Sequence, residues 1–265
     1  RPIIDTCGTG GDNLNTFNIS TTAAIIAAGA GVAVAKHGNR AVSSLCGSAD
    51  VLAELKVNIN AAPEIVEECI REANIGFLFA QKLHPAMKHV APVRKEIGIR
   101  TIFNMLGPLS NPANARSQLL GVFSPDLTEC FAKILQKLGS KRALIVHGND
   151  GMDEITITTT TRISELKETG EIKTYEFNPL PFIETFHTID EIRGTDPKGN
   201  AKLILEILDG TNKGAPRKIA LLNAAAAIIV GGKAHNFEEA YKLATHSLDS
   251  GKAITSPVSY THLRA

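Results

Sequence analysis

Residues 3–22 read IIDTCGTGGDNLNTFNISTT, and this stretch decides the fold class. Ile3 to Thr6 is a short apolar run of the strand type, the cluster Gly8-Thr9-Gly10-Gly11-Asp12 follows at once, and a helical pattern opens by Thr21 and runs to Ala30. Glycines let backbone N–H groups approach an anion, and a helix start adds unpaired donors and a positive dipole end. The unit suits a phosphate or a pyrophosphate. It is not a dinucleotide fingerprint, because Asn13 stands where the third glycine belongs, and no GK[ST] follows to make a P-loop. A lone GTGG would be a plain turn capped by Asn18 or Ser20, so the remainder of the chain has to decide.

Outward from this stretch, short apolar runs alternate with longer helical periods. Val32 to Lys36, Gly76 to Phe79, Gln118 to Val122 and Ala143 to Val146 read as buried strands, and Ser48 to Leu55, Pro63 to Ala73 and Leu127 to Leu138 as helices. The alternation predicts an α/β fold with a mainly parallel central sheet flanked by helices. Prolines 85, 92, 108 and 112 break residues 84–112 into short helices and turns. Ile155 to Thr161 (ITITTTT) alternates and is β-branched, and with Ile172 to Phe177 predicts an antiparallel edge; Ala201 to Leu208 and Leu221 to Val230 close the pattern as helices.

Two further loops fall at strand ends. Lys36-His37-Gly38-Asn39-Arg40 should share an edge with the glycine loop, where open parallel sheets bind ligands. Its lysine and arginine supply positive charge, and Ser43-Ser44 to Gly47-Ser48 add hydroxyls at another helix start. His147-Gly148-Asn149-Asp150-Gly151-Met152-Asp153-Glu154 ends on a pair of carboxylates. Magnesium is usually held by one or two carboxylates together with ligand phosphates, so an acidic pair facing a pyrophosphate crevice implies that ion.

Composition limits the partners. The 265 residues are 43% hydrophobic and carry 28 Lys plus Arg against 27 Asp plus Glu, a formal net charge of +1. That balance gives no broad positive field for nucleic acid. Four scattered cysteines lack disulfide or zinc spacing and fit a reducing, cytoplasmic compartment. The apolar stretches 23–35 and 219–230 fall short of the ~20 residues of a membrane span, so no membrane partner is expected. Arg1 is not an initiator Met and the tail Ser256 to Ala265 continues no apolar period; the chain reads as a fragment, with 256–265 a non-native tail.

With these elements placed, the chain resembles the anthranilate phosphoribosyltransferases of tryptophan biosynthesis from about Ile3 to Lys252. The resemblance rests on DTCGTGGD (5–12), NTFNIST (15–21), KHGNRAVSS (36–44), HPAMKHVAPVRKEIGIRTIFNMLGPLSNPA (84–113) and Asp153-Glu154. It implies the nucleoside phosphorylase/phosphoribosyltransferase catalytic domain over 1–255. It further implies that residues 82–108 cross to an N-terminal helical domain absent here, and that the intact protein is a homodimer. The implied reaction moves the phosphoribosyl group of phosphoribosyl pyrophosphate (PRPP) to the amine of anthranilate, with magnesium, as two ions, required. Carried over residue by residue, Gly8, Gly11, Asp12, Thr16, Asn18, Ile19, Ser20, Thr21, Lys36, His37, Gly38, Asn39, Arg40, Ala41, Val42, Ser43, Ser44 and Ser48 would hold PRPP. Ser20, Asp153 and Glu154 would serve the metal, while Gly8, Asn39 and Arg94 would contact anthranilate. Lys36, Asn39 and Arg94 would carry catalysis. An arylamine is neutral at pH 7, so no strong base is demanded and His37, His84 and His147 read as structural or positioning groups. The rival readings are a nucleoside phosphorylase of the same fold, whose loop usually runs Ser-Thr-Gly-Gly-Val-Gly-Asp, and a catalytically silent homologue that binds nucleotide or nucleic acid.

Overall fold

The computed structural model describes residues 1–41, 45–85, 87, 90, 96 and 102–255. Among the described residues seven strands form one sheet: β1 (Ile3–Gly8), β2 (Ala33–Gly38), β3 (Ile75–Phe79), β4 (Ser117–Gly121), β5 (Arg142–Gly148), β6 (Thr161–Leu166) and β7 (Ile172–Phe177), in the order β3-β2-β1-β4-β5-β6-β7. The first five are parallel; β6 and β7 pair antiparallel, with Val146 opposite Ile163 and Ile163 opposite Tyr175. β1 lies between β2 and β4, so the chain winds one way to β3 and the other way to β5. The strand order switches at β1, which opens a crevice beyond the carboxyl ends of β1 and β4.

Helices α1 (Ile19–Gly29), α2 (Ser48–Glu54), α3 (Pro63–Glu72), α4 (Asp126–Lys137), α5 (Pro197–Leu208), α6 (Ala215–Val230) and α7 (Phe237–Asp249) cover the sheet. α1 is buried nearly all round, Ala23, Ala24, Ala27 and Ala28 having no exposed surface, and it packs on the equally Ala-rich α6. Small side chains let the two axes come close, which fixes the height at which the first turn of α1 meets the crevice. The apolar core runs through both helices and the inner strands, Ile4, Ile26, Val34, Ile219 and Leu222 all being fully buried.

The predicted strands and helices appear within a residue or two of their expected ends, except in three places. Residues 155–160 are not a strand, and the antiparallel edge starts only at Thr161. Side chains take their backbone groups instead: the Thr156 N–H donates to Thr161 Oγ1, the Thr158 N–H to Thr156 Oγ1, and Ile155 is bonded to Asn223, while the Thr156 and Thr158 hydroxyls donate to Asp150 Oδ2. α5 starts four residues early because Asp196 caps it, accepting from the Gly199 N–H at 2.8 Å, with Pro197 in the first turn. α6 also starts early, at Ala215, again with proline in its first turn. Between 84 and 112, the described residues include a helical turn at Ile102–Leu106 and a 3-10 turn at Gly107–Leu109; the other expected short helices, and the tail 256–265, lie outside the described residues. Among the described residues no helix is long and apolar enough to cross a membrane.

Candidate functional site

The glycine loop leaves β1 and is tied to its neighbours by main-chain bonds. The Thr9 N–H donates to the Gly121 carbonyl at 2.9 Å, and Thr9 Oγ1 accepts from the Phe123 N–H at 3.2 Å. Gly10 and Gly11 have φ of +67° and +81°, which L side chains rarely adopt. Gly8 has no room for a side chain because its added Cβ would strike the Asp153 carboxylate. Close approach between the first and third predicted loops is thus a requirement of packing. The direct link is the Gly10 N–H, which donates to Asp153 Oδ2 at 2.8 Å.

The two acids have different neighbours. Asp153 faces the glycine loop beside Asp12, and burial, then the Asp12 charge, pushes its carboxyl up to about 7. Glu154, 8% exposed, lies near Lys36 and the first turn of α1, where the Lys36 charge and the Ser20 N–H favour its charged form. Burial, then the Asp153 charge, holds its carboxyl well above the usual range, with Lys36 only partly offsetting them. Buried, like-charged carboxylates with incomplete compensation are a donor set that a hard cation would relieve. Among the described residues no group of three or more His, Cys, Asp and Glu forms a ligand set by itself. The arrangement therefore fits an ion that takes its remaining oxygens from a bound phosphate and water.

Lys36 lies under the crevice, 3% exposed. Its ammonium donates to the Thr6 carbonyl at 2.6 Å and to Ser20 Oγ at 3.3 Å, and burial lowers its pKa against the pull of Asp5. It is a fixed charge beneath the glycine loop and the start of α1 instead of a mobile surface lysine. Asn39 and Arg40 are exposed at the end of β2. Asp50, in α2, organises this loop by accepting from Arg40 Nη1 at 2.9 Å, the Ala41 N–H at 2.8 Å and the Gly47 N–H at 3.0 Å. Ser48 Oγ and the Ala49 N–H both donate to the Asn39 carbonyl. Gly38 is flush against Ser48 and the Phe77 ring.

Several other expected residues are engaged in contacts within the fold. Ile19 and Thr21 are each only 1% exposed. Asn18 occupies the N-cap of α1 without capping it; its Nδ2 donates to the Cys46 carbonyl at 3.2 Å and its Oδ1 accepts from Asn200 at 3.0 Å. Thr16 forms an isolated antiparallel bridge with Arg193. His37 and His84 meet Nε2 to Nε2 at 3.1 Å with edge-on rings, and His147 Nδ1 lies 2.7 Å from the Val122 carbonyl. Val42, Ser43, Ser44 and Arg94 lie outside the described residues.

Three supporting residues escaped the sequence reading. Asp50 has an N3-type position three residues after Gly47, a local signal; Asn200 and Asn223 are polar residues on otherwise apolar helical faces, 2% and 0% exposed. A polar residue inside an apolar period is the only mark the sequence carries for them.

Residues 1–254 match the family described as Glycosyl transferase family, a/b domain. The chain is 52% identical over 251 residues to the anthranilate phosphoribosyltransferase of Desulfosudis oleivorans, covering 95% of this chain and 74% of that one. The crystal structure of anthranilate phosphoribosyltransferase from Thermus thermophilus superposes with a TM-score of 0.93 at 45% identity, covering 100% of this chain and 79% of that chain. The enzyme of Saccharomyces cerevisiae in complex with PRPP and Mg superposes with a TM-score of 0.90 at 32% identity, covering 99% of this chain and 73% of that chain.

Proposed function

The chain belongs to the Glycosyl transferase family, a/b domain, and from that membership we propose that its crevice transfers the phosphoribosyl group of PRPP to the amine of anthranilate, releasing pyrophosphate, in tryptophan biosynthesis. The observation that carries the reading is the bond from the Gly10 N–H to Asp153 Oδ2 at 2.8 Å, because it joins an anion-binding loop to an acidic pair in one crevice. The similarity to enzymes of that name and to a complex holding PRPP and Mg supports it. A single α/β unit over 1–255 is supported by the family match over 1–254. The same reading carries a homodimeric, cytoplasmic enzyme, supported by the resemblance alone.

In this reading the backbone of Gly8 to Asp12 and the first turn of α1, from Asn18 to Thr21, receive the pyrophosphate, with Thr16 beside them. Residues 36–44 and Ser48 hold the remainder of PRPP, and Gly8, Asn39 and Arg94 meet anthranilate. Asp153 and Glu154, with Ser20, hold magnesium, as two ions. When bound, magnesium supplies positive charge to the pyrophosphate as it departs. Displacement at the anomeric carbon passes through a state of oxocarbenium character in which negative charge grows on the leaving group. The buried Lys36 ammonium and the preset N–H donors are oriented toward that charge before reaction begins, so they need no rearrangement. Anthranilate's neutral amine attacks first and loses its proton afterwards, so its alignment matters more than a base.

The test is loss of anthranilate fluorescence on incubation with PRPP and magnesium. Asp153→Asn combined with Glu154→Gln is expected to abolish the response of the rate to magnesium. An unchanged magnesium response would remove the acidic pair from the metal site, and thymidine or uridine cleavage in phosphate without use of anthranilate would replace the transferase with a phosphorylase.

A further inference from the structure

We propose that Asn223 is the positioning residue of the Asp153–Glu154 pair, its buried amide gripping both backbone polar groups of Ile155 and so fixing the direction in which the two carboxylates leave the chain. The inference rests on reading that pair as the magnesium site.

Asn223 sits in the middle of α6, in the run LLNAAAAIIV, and has no exposed surface. An amide there gains nothing for the helix, since asparagine is a poorer helix former than the alanines beside it, and a buried amide without partners is costly. Its main partner, Ile155, is 68 residues away in sequence. Oδ1 accepts from the Ile155 N–H at 2.9 Å, and Nδ2 donates to the Ile155 carbonyl at 2.9 Å and to the Ile219 carbonyl of its own helix at 3.0 Å. The pair of bonds to Ile155 is the pattern a neighbouring strand would offer, supplied here by one side chain.

Residues 155–160 belong to no strand, so Ile155, itself fully buried, relies on Asn223 for both of its polar groups. The Glu154 side chain leaves the backbone one residue before this anchor, and that of Asp153 two residues before. On the other side, the Gly148 N–H donates to the Met152 carbonyl at 2.8 Å, and the Asp153 carbonyl rests against Gly121, which has no room for a Cβ. The acids are therefore held between two anchors, of which Asn223 alone is a side chain from a distant helix. α6 also packs on α1, whose first turn presents the Ser20 N–H to Glu154. One amide thus ties the acid-bearing segment to the helix pair that carries the opposing face of the site.

The experiment is calorimetric titration of the whole chain with PRPP, with and without magnesium, alongside amide exchange at Ile155. Asn223→Leu, which keeps the volume and removes both bonds, is expected to weaken magnesium-dependent PRPP binding about 10- to 100-fold, the usual effect of losing a group that orients a metal ligand. Metal-free PRPP binding should change less than about twofold and Ile155 should lose exchange protection. Ile228→Ala, a cavity variant in the same helix, is the stability control and should lower the melting temperature with the magnesium response intact. Should Asn223→Leu not fold, Asn223→Ser, too short to reach both Ile155 groups, replaces it with the same expectation. A parental magnesium response in the Asn223 variant overturns the proposal while leaving the site standing; equal weakening in Ile228→Ala reduces Asn223 to a structural residue. Absence of magnesium-dependent binding in the unmodified, folded chain removes the site reading and this inference together.

Discussion

Replacing Gly8 with alanine tests the contact on which the site is built. An added Cβ would overlap the Asp153 carboxylate and stand 2.9 Å from its Cγ, so the carboxylate has to move and the bond it accepts from the Gly10 N–H is lost. A hydrogen bond to a charged group contributes about 1.5–3 kcal/mol to stability, and displacing a carboxylate read as a metal ligand is expected to weaken PRPP binding in magnesium about 10- to 100-fold. Stability should fall by no more than the worth of that bond, because the obstructing atoms are the end of a side chain. Two neighbouring glycines set the scale. Gly10 has open space but φ of +67°, so Gly10→Ala adds roughly 1–2 kcal/mol of backbone strain with a smaller effect on the site. Gly121→Ala would drive its Cβ into the Asp153 carbonyl, which is backbone and cannot yield, so that variant should not fold. The assay is calorimetry with PRPP and magnesium beside thermal melting for all three. Parental affinity in Gly8→Ala would show that Asp153 is free to move and that the close packing of the two loops does not set the site.

His37 is 8% exposed and its pKa is pushed down to about 4 by burial first and His84 next. Between that value and the ordinary 6.5 the unfolded chain binds the additional proton, so stability rises with pH across the window and about 3 kcal/mol is lost on acidifying from 6.5 to 4. The raised carboxyls of Asp5, Asp153 and Glu154 work in the opposite direction, so the readout is the difference between parent and His37→Gln in urea unfolding against pH; equal slopes would refute the assignment. Asp50→Ala removes the acceptor shared by the Arg40 side chain and the Ala41 and Gly47 N–H groups. It should cost about 1–3 kcal/mol of stability and lower PRPP affinity severalfold, and unchanged PRPP binding in a folded variant would show that the loop needs no such brace.

The parts legible in the sequence were those whose signal is local. Period and punctuation placed all five parallel strands, and the glycine and basic loops were recognisable because strand ends in an open parallel sheet face one edge. The run 155–160 misled because its β-branched alternation is a real strand preference, overridden by Asn223 and by the Thr161 and Thr156 hydroxyls, which capture the backbone groups of Ile155, Thr156 and Thr158 that a ladder would need. Lys36 was legible as a charge but not as a buried one, since its place beneath Thr6 and Ser20 depends on the pairing of β1 with β2. The braces are the least legible. Asn18, Asn200 and Asn223 each bond to groups far away in sequence, and within its own helix or loop none differs from a cap or a misplaced polar residue. A site assembled from strand ends is written locally in its loops, whereas the direction of its side chains is set by long-range amides. The Asn223 titration addresses that second layer directly: it leaves every loop residue in place and changes only what aims two of them.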